Sequence, residues 1–463
     1  MKFNVMTKDL KSAMTTLKKA MYFQSALPIA TCIRFNTAEK SVGLVGTDLE
    51  TLIAEEIQAD VEIQGEGCIN FKQLEACIKG KKKRDHVTYF QEDNGMMRLT
   101  VSGVISRLSI ESTTDYPVIP VIETSLSLDL ATGIEKCLPF ASYEDTRLQI
   151  NGVHVHSKEH ELVFVATDGR TLKVVRTDPL PESVAPELKD FAITIPSKSC
   201  SAIVSHFKDV VDVGINTEQI DGKDVDRQLR VSCSNRELIT RLIEGEFVDY
   251  ESVLAPAKNL TGKAEIELNR EEFLEIITTV CALGLAVKEK KNEYASRTYC
   301  VWIEMVDGVM DIRYNHREAK VTQMATHAPL SYSYDGYLLM ALNPRLLIRA
   351  LESFDTPVIS MYVKPLEPND KNEMGNVLDS VYFRDADRSE DTVIMPMKSD
   401  GPKFGPDWVA MAKEEERKAT IKKETESFKR SQEEMARQAE NLKEADEWTA
   451  NQQKGSDDHG NTN

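Results

Sequence analysis

Apolar side chains near the start of the chain follow a helical spacing. They recur every three or four residues, at Leu10, Met14, Leu17 and Met21. This is the period of a helix that buries one face. We therefore predict an amphipathic helix from Thr7, which suits the N-cap position, to about Met21.

The same spacing returns twice, and each opening helix is followed by a second one. The later opening helices run from Asp129 to about Phe140 and from Asn269, a suitable N-cap, to about Leu283. The second helices are predicted at Phe71–Lys79, Pro196–Phe207 and Asn343–Phe354. Alternating segments of strand length lie between the helices, at Gly43–Gly46, Leu162–Val165 and Val309–Ile312. This pattern predicts an α+β fold in which helices cover one face of antiparallel sheets.

The three units also end alike. Ser106–Pro120 and Thr240–Pro256 each contain a hydroxyl residue followed by Arg-Leu, then Asp-Tyr, and leave through a proline. Val381–Met397 is a weaker third copy. Internal repeats of this kind define the units of a fold. They predict three similar domains, at residues 1–122, 123–257 and 258–400, and a tail at 401–463.

Composition narrows the class of protein. A chain of 463 residues agrees with three domains of roughly 100–200 residues each. There is no run of about 18 apolar residues, and Met1–Leu10 lacks the apolar core of a signal peptide, so we expect no membrane association. The eight cysteines lack CxxC spacing, which argues against a structural zinc site and favours the reducing cytoplasm.

The formal net charge of −18 argues against non-specific wrapping by nucleic acid. It does not exclude a locally basic surface, because phosphate attraction acts only over about 8–10 Å.

Three histidines are the candidates for catalysis or metal binding. His154 and His156 would share one face of a strand, and His160 follows them. No nearby carboxylate completes a ligand set, and the chain lacks GxSxG, GxGxxG, HExxH and Walker lysine motifs. A metal-dependent hydrolase therefore ranks below a binding role. We expect no catalytic residue, no metal and no cofactor.

Four stretches resemble the β sliding clamp family, the processivity subunit of bacterial DNA polymerase III. They are Leu27–Glu50, Ile150–Leu172, Leu242–Tyr250 and Val393–Lys398, and their order and spacing make the resemblance specific over about residues 1–398. The resemblance implies three DNA-clamp domains per chain. It also implies a head-to-tail homodimer ring that encircles double-stranded DNA without reading its sequence. Such a ring has no catalytic activity and tethers DNA polymerase and the clamp loader.

A basic inner lining is the first requirement of such a ring. Basic residues on or beside the predicted helices are the DNA-facing candidates: Lys8, Lys11, Lys18, Lys19, Lys72, Lys79, Lys81, Lys82, Lys83, Arg84, Lys198, Lys208, Arg345 and Arg349. Gln24 stands where the family often has an arginine that touches DNA.

Ring closure is the second requirement. The resemblance places Leu108 and Ile110 in the ring interface, opposite a partner strand near Leu283–Val287. The stretch from Ala282 to Ala295 is longer than its counterpart in the family.

A hydrophobic groove that receives a short partner peptide is the third requirement. The positions that match it are Ile150, Thr167, Gly169, Arg170, Leu172, Val253, Asn343, Leu346, Leu366, Val393, Ile394, Met395, Pro396 and Met397. Val248 replaces a proline and Ser252 an arginine of the family pattern, so the peptide preference is expected to differ.

The sequence leaves two questions open, the role of the protein and the role of its tail. A phage- or plasmid-type paralogue with the same fold could sequester clamp-binding proteins instead of serving a polymerase. The tail is also new, because the family's chain normally stops after the Met-Pro-Met strand. Residues 407–450 contain neither glycine nor proline and predict a long charged helix, with Gly455–Asn463 disordered. One hypothesis is that this tail covers the groove or recruits a partner.

Overall fold

The structure of the protein is a computed structural model. It describes residues 1–23, 27–79, 87–124, 126–144, 146–180, 191–208, 210–220, 223–285, 300–306, 308–316, 321–333, 338–364, 380–387 and 389–397. The predicted tail at 401–463 and Gln24 lie outside these residues, as does part of the predicted partner strand of the ring interface. Five further candidates also lie outside them: Lys81, Lys82, Lys83, Arg84 and Leu366.

The first segment opens with a short strand before its first helix. Its elements are β1 (Lys2–Met6), α1 (Thr7–Leu17), β2 (Cys32–Thr37), β3 (Ser41–Thr47), β4 (Thr51–Ile63), β5 (Glu66–Asn70), α2 (Phe71–Ile78), β6 (Val87–Asp93), β7 (Met96–Val101) and β8 (Val104–Ser109).

The second segment has the same order. Its elements are β9 (Leu126–Asp129), α3 (Ala131–Cys137), β10 (Gly152–Lys158), β11 (Glu161–Thr167), β12 (Thr171–Arg176), β13 (Ala192–Pro196), α4 (Ser197–His206), β14 (Val210–Ile220), β15 (Lys223–Cys233) and β16 (Arg236–Arg241).

The third segment repeats this order and adds one connecting helix and one short strand. Its elements are α5 (Glu251–Lys258), β17 (Ala264–Asn269), α6 (Arg270–Leu285), β18 (Val301–Val306), β19 (Val309–His316), β20 (Val321–His327), β21 (Ser331–Tyr332), β22 (Leu338–Leu342), α7 (Pro344–Glu352), β23 (Val358–Val363), β24 (Val381–Asp385) and β25 (Glu390–Ile394).

The repeated order confirms the predicted α+β fold of similar units. The opening strands β1, β9 and β17 escaped sequence reasoning because each is short and runs directly into a helix. The Asn269 side chain caps α6 as predicted, since its Oδ1 accepts hydrogen bonds from the backbone of Glu271 and Glu272 at 3.1 and 3.2 Å. The N-cap prediction for Thr7 is wrong, because Met6 holds that position. The Thr7 hydroxyl hydrogen-bonds instead to Thr88 Oγ1 at 2.8 Å.

Two sheets continue across segment boundaries. In the first, β4 of the first segment pairs antiparallel with β16 of the second. In the second, β12 of the second segment pairs antiparallel with β25 of the third. Each boundary is therefore closed by a ladder of backbone hydrogen bonds, and the segments meet edge to edge.

The helices form one continuous row. Within segments, α1 packs on α2, α3 on α4 and α6 on α7. Between segments, the turn Lys18–Ala20 after α1 contacts α4. Arg349 of α7 donates to the Pro139 carbonyl after α3 at 2.7 Å and lies over the Phe140 ring. The row therefore runs in the order α2, α1, α4, α3, α7, α6. None of the helices in the described part of the chain is long and apolar enough to cross a membrane.

The histidine pair is built into the second segment. His154 Nδ1 lies 3.0 Å from Thr194 Oγ1, and its ring stacks on Phe247 with centroids 4.6 Å apart. His156 Nε2 lies 2.8 Å from the hydroxyl of Tyr250. His160 occupies a turn at φ 69°. The described residues contain no group of three or more possible metal ligands. The pair thus ties the connection after β16 to β10.

Burial, together with the neighbouring His156, lowers the pKa of His154 to about 4. In the unfolded chain the pKa returns to about 6.5. Between these values the unfolded state therefore binds a proton that the folded state does not, and stability should fall as the pH drops from about 6.5 to 4.

We expect His154→Phe, which retains a ring to stack on Phe247, to flatten the decline of urea-unfolding free energy across this pH window. His160→Asn is the control, because it changes an exposed histidine and should leave the slope as in the wild type. Equal slopes for wild type and His154→Phe would contradict this account.

Candidate functional site

A tight turn between β11 and β12 forms one wall of the candidate site. Thr167 Oγ1 donates to the Thr171 carbonyl at 2.6 Å and accepts from the Gly169 backbone at 3.0 Å. Asp168 Oδ1 accepts from the backbone of Arg170 and Thr171 at 2.9 and 2.7 Å. Gly169 has φ 79°, a conformation that side chains other than glycine rarely adopt. The turn is thereby held in one shape.

The strand β25 of the third segment lies against this turn. In the pairing of β12 with β25, Leu172 is opposite Val393 and Thr171 is opposite Ile394. Beyond the strand, the Met395 backbone donates to the Arg170 carbonyl at 2.9 Å, and the Met397 backbone donates to the Ala341 carbonyl at 2.8 Å. The second and third segments therefore meet along residues 393–395, and Met397 ties this stretch back to the third segment.

Apolar side chains at this joint differ in exposure. Leu172 and Val393 are buried and pack with Tyr250 and Leu254 in one cluster. Val253 and Met395, which lie close to these residues in the chain, are 44% and 48% exposed. Solvent-exposed apolar side chains over an apolar floor are typical of a surface that receives another chain.

The predicted groove residues differ in how far they are exposed to solvent. Five are buried: Ile150, Thr167, Leu172, Val393 and Ile394. Four are half-buried: Asn343, Leu346, Pro396 and Met397. Four are exposed: Gly169, Arg170, Val253 and Met395.

Two groove candidates have structural tasks that sequence reasoning missed. Ile394 belongs to the core of the third segment, and Asn343 caps α7 by accepting from the Arg345 backbone at 2.9 Å.

Both positions that depart from the family pattern are exposed. Val248 is 43% exposed. The Ser252 hydroxyl donates to the Asp249 carbonyl at 2.7 Å at the start of α5.

Buried ion pairs lie beneath the groove, and sequence reasoning missed them. Lys173 has no exposed surface, pairs with Glu390 at 2.6 Å and lies 3.8 Å from the centre of the Phe354 ring. Burial lowers its pKa. Lys136 pairs with both Glu390 and Asp355. Lys173 reads as an ordinary strand residue in the sequence, so only the fold reveals that it faces the third segment.

A second buried carboxylate, Asp391, forms ion pairs with cations from both sides of the joint. Arg176 of the second segment pairs with it at 2.7 Å, and Lys258 of α5 at 2.9 Å. Burial alone would raise the pKa of Asp391, but these cations and the Tyr382 hydroxyl outweigh it and hold the pKa below its usual value. Breaking one partner of such a buried pair leaves an uncompensated charge, so the pairs resist separation of the two segments.

The predicted DNA-facing residues fall into two groups. Lys8, Lys72, Lys79, Lys208 and Arg345 are exposed, and Lys11 and Lys19 are half-buried. Three others take part in ion pairs with carboxylates: Lys18 with Glu75, Lys198 with Asp48 and Arg349 with Asp168.

The predicted ring-interface strand is an edge. β8 ends the strand order of its sheet, and no strand within the described residues pairs with its outer side. Leu108 is only 8% exposed and packs in the core, while Ile110 packs half-buried against that core. Val104 and Ile105, at 53% and 54% exposure, are the apolar side chains that this edge offers. The alternation of a strand accounts for Ile105, which points to the face opposite Leu108. Val104 shares the face of Leu108 but begins the strand, where it pairs with Val101 at the hairpin end.

The central part of the chain and its overall fold both match known proteins. Residues 128–249 match the family model for the DNA polymerase III beta subunit, central domain. The beta sliding clamp of Rickettsia felis is 21% identical over 370 residues, which cover 78% of this chain and 93% of that protein.

Two solved structures show the same fold. The beta subunit of a DNA polymerase from Streptococcus pyogenes has a TM-score of 0.71 and 18% identity, covering 86% of this chain and all of that one. A sliding clamp from Pseudomonas aeruginosa bound to griselimycin has a TM-score of 0.69, 18% identity and the same coverage. The repeated unit, the joint between the second and third segments and these matches agree, and together they indicate the bacterial DNA polymerase III beta sliding clamp family.

Proposed function

We propose that the protein is a DNA sliding clamp, a non-catalytic processivity factor. Two copies form a ring around duplex DNA in the cytoplasm and tether DNA polymerase, the clamp loader and other replication proteins. The observation that carries this proposal is the single row of six helices, which continues by contact from one segment to the next.

The helix row supports a DNA-facing wall. Lys8 on α1 and Lys72 on α2 are exposed on this row, and Lys208 follows α4. Lysines spread along a surface attract phosphates without reading bases, which is what a sliding contact requires. Because attraction to phosphates is local, the net charge of −18 does not oppose it. Lys198 and Arg349 are left out of the proposed lining, since their side chains are engaged at the joints.

The edge of β8 supports ring closure. An edge strand with unpaired backbone groups and exposed apolar side chains, here Val104 and Ile105, is a template for pairing with another chain. We propose that the third segment of a second copy pairs there. Two such head-to-tail contacts close a ring.

The groove supports partner binding. A short peptide could place apolar side chains on Met395 and Val253 while the buried layer beneath stays fixed. Methionine adapts to differently shaped ligands, which suits a surface shared by several partners. Val248 lies beside it in place of the family's proline, so we propose a shifted peptide preference.

We expect the purified chain to be a dimer of about twice 52.1 kDa. It should load onto primed circular DNA with a clamp loader and lengthen the products of a DNA polymerase III. Size-exclusion chromatography with light scattering and a primer-extension assay under single-hit conditions measure these properties. A chain that binds groove ligands yet fails to load would indicate the sequestering paralogue instead.

Griselimycin serves as the probe, because a sliding clamp of the same fold is bound to it. Met395→Lys should weaken its binding by about tenfold or more, because this change places a charge against an apolar floor. Isothermal titration calorimetry measures this affinity. Val118→Lys is the matched control, since Val118 is 89% exposed and lies outside the groove. An affinity for Met395→Lys equal to that of the control would remove Met395 from the site.

Lys8→Glu combined with Lys72→Glu should shorten the residence time of loaded rings on nicked circular DNA by roughly tenfold, since two copies lose several phosphate contacts. Lys40→Glu combined with Lys364→Glu makes the same charge change at exposed positions away from the helices and should behave as the wild type. Equal residence times for both double variants would place the DNA elsewhere.

A further inference from the structure

The two joints between segments are built on the same turn. In the first segment, Thr47 Oγ1 donates to the Thr51 carbonyl at 2.9 Å and accepts from the Leu49 backbone at 3.0 Å. Asp48 Oδ1 accepts from the backbone of Glu50 and Thr51 at 3.0 and 2.6 Å. These bonds reproduce those made by Thr167 and Asp168 in the second segment.

The strand of the following segment meets each turn in the same way. The Arg241 backbone donates to the Glu50 carbonyl at 2.9 Å, as the Met395 backbone does to the Arg170 carbonyl at 2.9 Å. The residue that donates this bond differs between the joints. At the first joint it is Arg241, whose guanidinium lies 3.5 Å from the Glu50 carboxylate. At the second joint it is the apolar Met395, which is 48% exposed.

In both joints the turn aspartate is paired with a helix of the following segment. Lys198 of α4 pairs with Asp48. Arg349 of α7 pairs with Asp168, with Nη2 at 2.8 Å from Oδ2. The equivalence of the two pairs identifies them as parts of the joints.

Arg349 makes a larger set of contacts than Lys198. Its Nη2 also donates to Thr171 Oγ1 at 2.7 Å, and its Nη1 donates to the Pro139 carbonyl at 2.7 Å. Its guanidinium lies 4.9 Å from the centre of the Phe140 ring. The planar guanidinium holds several acceptors at fixed angles, which a lysine ammonium cannot do. The side chain is 23% exposed, so solvent screens these contacts only in part.

We propose that Arg349 is the positioning residue of the groove. It holds the turn 168–171 against α7, so that the Arg170 carbonyl stays in register with Met395, and Leu172 with Val393, when a partner peptide binds. The proposal rests on the proposed function of the groove. It assigns Arg349 to partner recognition and not to DNA, although it lies on a helix of the basic row.

Electrostatics agrees with this geometry. Burial alone would raise the pKa of Asp168, but the hydrogen bond and the charge of Arg349 outweigh it and hold the pKa below its usual value. Without Arg349, Asp168 would remain a partly buried carboxylate whose only partners lie in its own turn. Such a turn opens more often.

The test compares Arg349→Met with Lys198→Met, because each removes the cation of one joint and keeps the aliphatic stem. Hydrogen exchange by mass spectrometry should show about tenfold faster exchange at residues 168–172 and 395–397 in Arg349→Met only. Griselimycin affinity should fall about tenfold in Arg349→Met and stay unchanged in Lys198→Met. Arg349→Lys should give intermediate values, since it keeps one charge without the fork.

Different outcomes distinguish failure of the proposed role of Arg349 from failure of the proposed groove. If Arg349→Met exchanges and binds as the wild type, or if Lys198→Met weakens binding equally, Arg349 does not position the groove. If griselimycin binds no variant, including the wild type, this probe gives no support to the groove, and the exchange at 168–172 decides the role of Arg349. Unchanged exchange there overturns the proposal, and faster exchange confined to Arg349→Met supports it.

Discussion

Backbone hydrogen bonds between β4 and β16, and between β12 and β25, join each segment to the next. An edge strand presents unpaired backbone N–H and C=O groups. It must pair with another strand, or it becomes a site of aggregation. Here each segment supplies the strand that completes the sheet of its predecessor. The position and direction of every segment follow from this pairing, and so does the alignment of the six helices on one side.

The pairing also decides where charge is buried. Once β25 lies beside β12, Glu390 and Asp391 enter a region from which water is excluded. Each must then be neutralised by cations from the second segment and α5, which Lys173, Arg176, Lys136 and Lys258 provide. Such pairs contribute little net stability compared with apolar residues. They do penalise any slipped register, because a slip would leave one of them unpaired, and this makes the joint specific.

The proposed groove depends on the same joint. It would lie where the turn 168–171, the start of α5 and residues 393–397 come together, three stretches far apart in sequence. The first joint repeats the turn and the strand but has Arg241, paired with Glu50, where the second exposes Met395. The two joints thus share one backbone scaffold and differ in the side chain at this position.

The sequence by itself determined the repeated unit and the fold class, and it supplied the stretches proposed to line the groove. The helical spacing of Leu10, Met14 and Leu17 lies within one short stretch, so it can be recognised from the sequence alone. Only the tertiary structure decided that Leu108 faces the core, that Ile394 is core and not surface, and that Arg349 meets Asp168 across a joint. The physical reason is that burial and ion pairing depend on partners from other segments, whose positions the strand pairing sets.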